Sequence, residues 1–480
     1  MTTSLQLKLL SSEEVSSIYE KTLGILSTKG VKVNHPQALK ILDKAGAVVN
    51  FDDQQVKFPK DVIEWALQTV PHQVTIASAD GNNDMILPHP SGTLYGGTCI
   101  QSMRYLDPDS NTYRDFTLSK VAEWYQLIEA LDGIHMCAII TPTDVPEETA
   151  DIHGLKVAFE NCSKPIALLP YSLESVEYLF ELMLVKAGSE EALRKRPMLG
   201  INPTSFTPFE FKPMDIEEII QACRYGVPLY PNALPISGAT APITIAGTVL
   251  LSSVEQLAMI TMAQLIKPGH PMTGGGMDWT IDMLTGKCLM GSVEGALCGV
   301  AISQFIKDAF HIPVGGGGYS DAYSPDGQSM TEKTLKWLLG AMVGGDSIGG
   351  FGRTGGPNTA SPVGLIIDRN LLNIINRVIS GVKVDDDTLA LRDLLDTAPG
   401  GHFMDRRHTL QHCRDALRPE LFMLPKSVEI WESEGSKDLY ARAVDKYREI
   451  RKELQPKQLP EDVQREMNLI VKRADERLGK

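Results

Sequence analysis

Four consecutive glycines, Gly315 to Gly318, run directly into Tyr319 and Asp321 in the stretch VGGGGYSDAYSPDGQ (314–328). Glycine has no Cβ, so such a run lets a ligand or another chain come close to the backbone. It could cradle phosphate, or it could leave a flat surface beside something bulky. The phosphate reading fails on pattern. Neither this stretch nor GGFGRTGG (349–356) matches G-x-x-x-x-G-K-[ST]. The second contains a formal G-x-G-x-x-G, but Pro357 follows at once and no N-terminal βαβ unit surrounds it.

Aromatic residues recur beside the glycines: Tyr95 in YGGT, Trp279 in TGGGMDW, Tyr319 in GGGGY and Phe351 in IGGFG. The whole chain is only 6% aromatic, so this placement is informative. Ring faces attract cations, and a ring-lined cavity is a way to hold a quaternary ammonium group. The expected arrangement is a cage of Tyr95, Trp279, Tyr319 and Phe351, with Asp321 as electrostatic complement and Arg353 or Asn232 on a substrate carboxylate. Each ring also fits a plug in a barrel mouth, since aromatic side chains bury readily. Asp321 also fits a turn residue of SDAYSPDG, and Arg353 a solvated loop cation.

Other chemistry finds less support. His408 and His412 have the i, i+4 spacing of helical metal ligands, with His402 nearby, but no glutamate follows His408 as H-E-x-x-H requires; capping or packing is the expected role. The seven cysteines form no C-x-x-C pair, and no G-x-S-x-G marks a serine hydrolase. Asp144, Asp278 and Asp321 could supply oxygen ligands to Mg²⁺ in a barrel lyase, which is a rival reading. No metal site is expected.

The elements that must position these residues follow from periodicity. Eight short apolar runs begin near residues 94, 134, 165, 198, 227, 271, 312 and 346, with helical patterns between them. This predicts an α/β fold, a closed (β/α)8 barrel, with an open doubly wound sheet as the competing architecture. Residues just after each strand then converge at one rim: Asp144, Tyr171, Asn202, Asn232, Asp278 with Trp279, Tyr319 with Asp321, and Phe351 with Arg353. Residues 1–90 read as a helical and hairpin extension, 91–385 as the barrel, and 386–480 as a polar helical extension that covers a barrel flank or a neighbouring subunit.

The chain of 480 residues is 43% apolar and can bury a large core. A formal charge of −14 without a basic cluster argues against nucleic acid and anionic membrane as partners. The N-terminus lacks a signal-peptide layout, and the longest apolar stretch, 243–266, contains Glu255. A cytoplasmic location is expected.

The stretch SGATAPITIAGTVLLSSVEQLAMITMAQLIKPGHPM (237–272) closely resembles the trimethylamine methyltransferase family. So does the ordered set VGGGGYSDAYSPDGQ, GVKVDDDTLAL and APGGHFMDRRHTLQHCRDAL, and the resemblance covers roughly residues 90 to 420. It implies a (β/α)8 barrel that moves a methyl group from a methylated amine to the Co(I) of a corrinoid on a separate protein, with no cofactor bound by this chain itself. Founding members of the family use pyrrolysine. Every position here is an ordinary amino acid, so the chain resembles the branch that demethylates quaternary amines such as glycine betaine. On that basis Tyr319 and Asp321 are expected at the reacting centre, and Gly315, Gly316, Gly317 and Gly318 form a floor that receives the corrin. A homo-oligomer is also expected, and a non-catalytic binder of methylated osmolytes is the alternative.

Overall fold

Short apolar runs form strands here because each is bounded by residues that start or stop the helix beside it. A computed structural model describes residues 7–98, 101–277, 279–356, 358–414, 420–457 and 459–479. Ser172 caps the helix Leu173–Ala187 by accepting the Ser175 N–H, and Gly188 ends it at φ 83°, a left-handed conformation that favours glycine. Asp326 of the SPDGQ turn caps Gly327–Met342 by accepting from Gln328 and Ser329.

Seven of the eight expected runs form strands, and the remaining one closes the circuit through single bridges. The first, Tyr95–Thr98, meets the second, Cys137–Ala138, through a Gly97–Met136 bridge. The third, Ile166–Leu168, pairs with the second and with the fourth, Leu199–Ile201. The fifth is short: Leu229 bridges Ile201 on one side and Met272 on the other. Gly274–Gly276, Val314–Gly317 and Ser347–Phe351 complete the circuit, and Ser347 returns to Tyr95. Every pairing is parallel, so the architecture is the closed barrel rather than the open sheet. The last barrel helix, Pro362–Ile379, ends where the apolar periodicity does.

The two ends of the barrel are built differently. An N-terminal hairpin, Val74–Ile76 with Met85–Leu87, plugs the end where the strands begin. Ala77 and Ala79 donate to the carbonyls of Pro197 and Ser163, just ahead of the fourth and third strands. The hairpin packs with Tyr95, Met136 and Tyr230 into a cluster separate from the main core.

The helix Ile245–Ile266 is long and apolar enough to cross a membrane, but most of it is buried in the fold. Its Glu255 is fully buried and accepts from Ser205, Thr207 and the Phe209 N–H, which ties the loop after the fourth strand to this helix. Two C-terminal helices, Leu439–Arg451 and Glu461–Leu478, cover the flank at Pro362–Ile379 and Leu173–Ala187 respectively. The stretch from residue 380 to 414 contains no buried residue.

Candidate active site

Where inward positions of the barrel carry little side chain, the interior cannot fill, and a hollow remains at the end opposite the plug. Barrels of this kind are ordinarily packed by layers of bulky side chains. Here the sixth, seventh, eighth and first strands read GGG, VGGG, SIGGF and YGGT, and glycine lies beside glycine at Gly275–Gly315, Gly276–Gly316 and Gly317–Gly349. The resulting cavity is about 100 Å³, and all eight runs contribute to its wall. It suits a molecule of a few heavy atoms rather than a drug-sized ligand, which needs roughly 300 Å³ or more.

Some of these glycines are required by close approach. A Cβ at Gly275 would lie 2.3 Å from Asn232 Oδ1, so the Asn232 amide occupies the space that a side chain would take. Gly318 faces the other way, where a Cβ would lie 1.8 Å from Trp337 Nε1. Gly315, Gly316 and Gly317 thus wall the hollow, while Gly318 makes room for a core tryptophan. The run is barrel strand, and three of its four glycines form part of the wall of the hollow.

Three buried polar atoms on lining residues have no hydrogen-bond partner among the described residues: Asn202 Oδ1, Tyr230 OH and Thr273 Oγ1. Buried polar groups are normally satisfied, so this concentration marks a place where a ligand or water completes the bonding. Burial pushes the Tyr230 phenol above its usual range and keeps it a neutral donor. The described lining residues include no carboxylate, amine, imidazole or guanidinium.

Of the expected cage, the structure brings only part to this hollow. Tyr319 and Asn232 line it. Tyr95 opens its strand at the plugged end, where its OH accepts from the Ile86 N–H at 3.2 Å and its ring meets His89 and His135 edge-on. Phe351 is fully buried outside the barrel wall, stacked on Trp337 at 4.2 Å between centroids. Trp279 begins a short strand, Trp279–Ile281, that pairs with Ile236–Ser237 and Cys288–Leu289 and does not border the hollow. Tyr171 hydrogen-bonds Thr141 through its hydroxyl. A four-ring cage is therefore absent among the described residues, because strand-end aromatics alternate between interior, exterior and opposite ends of the barrel.

The charged candidates act on the surroundings. Both oxygens of Asp321 are engaged by the backbone N–H groups of Met290 and Gly291, at 2.8 to 3.1 Å, and Lys336 donates to the Met290 carbonyl. Glu332 accepts from the Asp321 N–H and the Ser320 hydroxyl. Asp321 thus ties down the loop ahead of Val293–Phe305 and is not among the residues that line the hollow. Arg353 is buried, with its guanidinium 4.6 Å from the Tyr319 ring centroid, and is not a solvated loop cation. Asp144 caps Leu118–Ala130 by accepting the Leu118 N–H, so it and Asp321 serve separate loops; Asp278 lies outside the described residues. His412 pairs with the Asp387 carboxylate at 3.2 Å, and His408 with the Asp387 carbonyl at 2.9 Å, far along the chain from the hollow's residues.

Tyr230 and Thr273 were not singled out by sequence. Tyr230 sits inside the strand run VPLYPN, where a hydroxyl-bearing ring in an otherwise apolar strand followed by Pro-Asn was the available signal.

Comparison with known proteins agrees with the architecture. Trimethylamine methyltransferase MttB of Desulfitobacterium hafniense is 28% identical over 98% of this chain and 94% of its own length. The glycine betaine methyltransferase of the same species is 24% identical over 86% of each. The crystal structure of monomethylamine methyltransferase (MtmB) from Methanosarcina barkeri superposes with a TM-score of 0.53 over 92% of each chain at 12% identity, a likeness of fold. The family model for trimethylamine methyltransferase (MTTB) matches residues 2–479, so the chain belongs to that methyltransferase family.

Proposed function

We propose that the hollow binds a small quaternary amine, glycine betaine foremost, and presents one N-methyl carbon to the Co(I) of a corrinoid carried by a separate protein. The observation that carries this reading is the un-ionised wall. A neutral tertiary amine leaves from a quaternary ammonium with the electron pair of the broken N–C bond and needs no proton. Cobalt supplies the pair for the new Co–CH₃ bond and passes from Co(I) to Co(III). A site with no acid or base in its described lining suits that reaction, and what the chain contributes is orientation and exclusion of water.

The polar inventory fits a substrate with an anionic end. Tyr230 and Thr273 offer hydroxyl donors, and Asn202 and Asn232 offer amides. Arg353 lies buried behind Tyr319, with its guanidinium 4.6 Å from the ring centroid. The name of the glycine betaine relative agrees with a substrate of that kind, while the MttB relative carries trimethylamine in its name.

The test is methyl transfer to reduced cobalamin, free or on a corrinoid protein, read by its visible spectrum. The panel is glycine betaine, proline betaine, carnitine, choline and trimethylamine. Turnover with glycine betaine is expected. Turnover with trimethylamine alone overturns the quaternary assignment, and calorimetric binding of betaine without transfer leaves a binder.

A further inference from the structure

The sequence spaces His408 and His412 as ligands but places no third ligand beside them, and the fold brings one from upstream. Both rings stand on one face of the helix Arg407–His412, with centroids 4.3 Å apart. Asp387 meets both from 21 residues ahead of His408. Its carboxylate lies 3.2 Å from His412 Nε2, and its carbonyl accepts from His408 Nε2 at 2.9 Å. Two imidazole nitrogens and one carboxylate oxygen thus lie within 4.8 Å of one another. Among the described residues this is the one such group of three; the buried acids Asp151, Asp215 and Glu218 do not converge in that way.

The donor set selects the ion. Imidazole nitrogen binds zinc and its neighbours in the transition series, whereas magnesium and calcium take oxygen ligands. Zinc bonds of roughly 2.0 to 2.1 Å in a tetrahedron put ligand atoms about 3.3 Å apart. The His412–Asp387 separation of 3.2 Å already matches that spacing, so only the His408 ring has to turn. The local structure also calls for a tie. Residues 380–414 contain no buried residue, and the helices Leu391–Asp396 and Arg407–His412 have six residues each. Helices of that length are marginal in water unless something holds them, and exposed ion pairs contribute little. A metal gripped by two segments contributes its binding free energy directly to their order, as in small domains that lack a core.

We propose that Asp387, His408 and His412 bind one zinc ion, which pins the helix Arg407–His412 to the turn ahead of Leu391–Asp396. Water fills the fourth position, because all three ligands are at least partly exposed. The ion is a clip and takes no part in methyl transfer, since none of its ligands lines the hollow. Cys413, the next residue in the chain, turns its thiol to the Leu410 carbonyl and is not in the group. The inference does not rest on the reading of the hollow.

The experiment uses the full-length protein, stripped with a chelator and free of any corrinoid protein. Zinc(II) is titrated in against a chromophoric chelator, and cobalt(II) is substituted so that its visible d–d bands report the coordination. The wild type is expected to take one equivalent of zinc and to show the intense bands of four-coordinate cobalt. His408→Ala/His412→Ala is expected to weaken binding about 100-fold and Asp387→Asn about tenfold, whereas His402→Ala leaves it unchanged. Hydrogen exchange over residues 385–412 should slow when zinc is added to the wild type but not to the double variant, with the barrel helices alike in both. The ligands stand at the surface, so the variants keep the barrel. A wild type that takes no stoichiometric zinc overturns the proposal. So does equal affinity in the double variant, which makes the metal an adventitious ion only, or zinc binding that leaves exchange over residues 385–412 unaltered.

Discussion

The two ends of the barrel use the same strands to opposite effect. At the end where the strands begin, the hairpin Val74–Leu87 and the ring of Tyr95 fill the interior, and Tyr230 packs on that plug while bordering the hollow above it. Three residues on, glycine and alanine replace bulk, and Thr98, Ala138, Ala167 and Gly315 border an open hollow. The first strand shows the change within YGGT: Tyr95 belongs to the plug and Thr98 to the site. The difference teaches that this fold makes its reaction space by subtracting side chains at one level of a packed barrel, with polar atoms left unsatisfied there and apolar ones satisfied below.

That contrast can be broken most strongly at the wall. Gly318→Ala places a methyl within 1.8 Å of Trp337 Nε1 and 2.7 Å of the Gly349 carbonyl, neither of which can yield cheaply. A loss of about 3 kcal/mol in stability is expected, at the upper end of overpacking costs, measurable by urea unfolding. Gly275→Ala acts inward instead. It displaces the Asn232 amide, so methyl transfer should fall about 100-fold, equivalent to ~2.7 kcal/mol of barrier, while the melting temperature moves by only a few degrees. If the two glycines exchange these effects, the inward and outward assignment is wrong.

Acid probes the plugged end. His135 and His270 stand at the starts of the second and sixth strands, and burial lowers both to about 4. Their folded values lie below the unfolded value of about 6.5, so the folded state binds fewer protons in that window. Their stabilising contribution is full above pH 6.5 and is lost as pH falls through 4, up to about 3 kcal/mol for each. His135→Gln/His270→Gln should lose less stability over this range than the wild type; an equal loss, followed by thermal unfolding at each pH, would move the acid sensitivity elsewhere.

The smallest effect is the most discriminating for location. Tyr95→Phe removes one hydroxyl that accepts from Ile86, so about 1 kcal/mol of stability is at stake and activity should not change. A tenfold drop in methyl transfer would return Tyr95 to the reacting centre.

The barrel was legible because strand and helix periodicity are local, and eight apolar runs appear in the sequence at the places that form the circuit. The glycine-rich strands were legible for the same reason, as was Asn232 at a strand end. The cage was not. Tyr95, Trp279, Tyr319 and Phe351 share a sequence context of neighbouring glycines, yet one lies at the plug, one on a rim sheet, one beside the hollow and one on Trp337 outside the wall. A strand alternates faces every residue, so a shift of one position exchanges interior and exterior. The loop that Asp321 ties down was not legible either: a carboxylate after a strand can face a substrate or hold a loop, and the Met290 and Gly291 N–H groups that it accepts from lie 31 and 30 residues away in the chain.

The sequence by itself determined the fold, the family and the bareness of the barrel wall, because these depend on residue type and short-range order. Only the tertiary structure decided which rings look inward, which polar atoms are left without partners, and where apolar side chains stand uncovered. Those properties belong to pairs of residues far apart in the chain, and their geometry exists only once the barrel has closed.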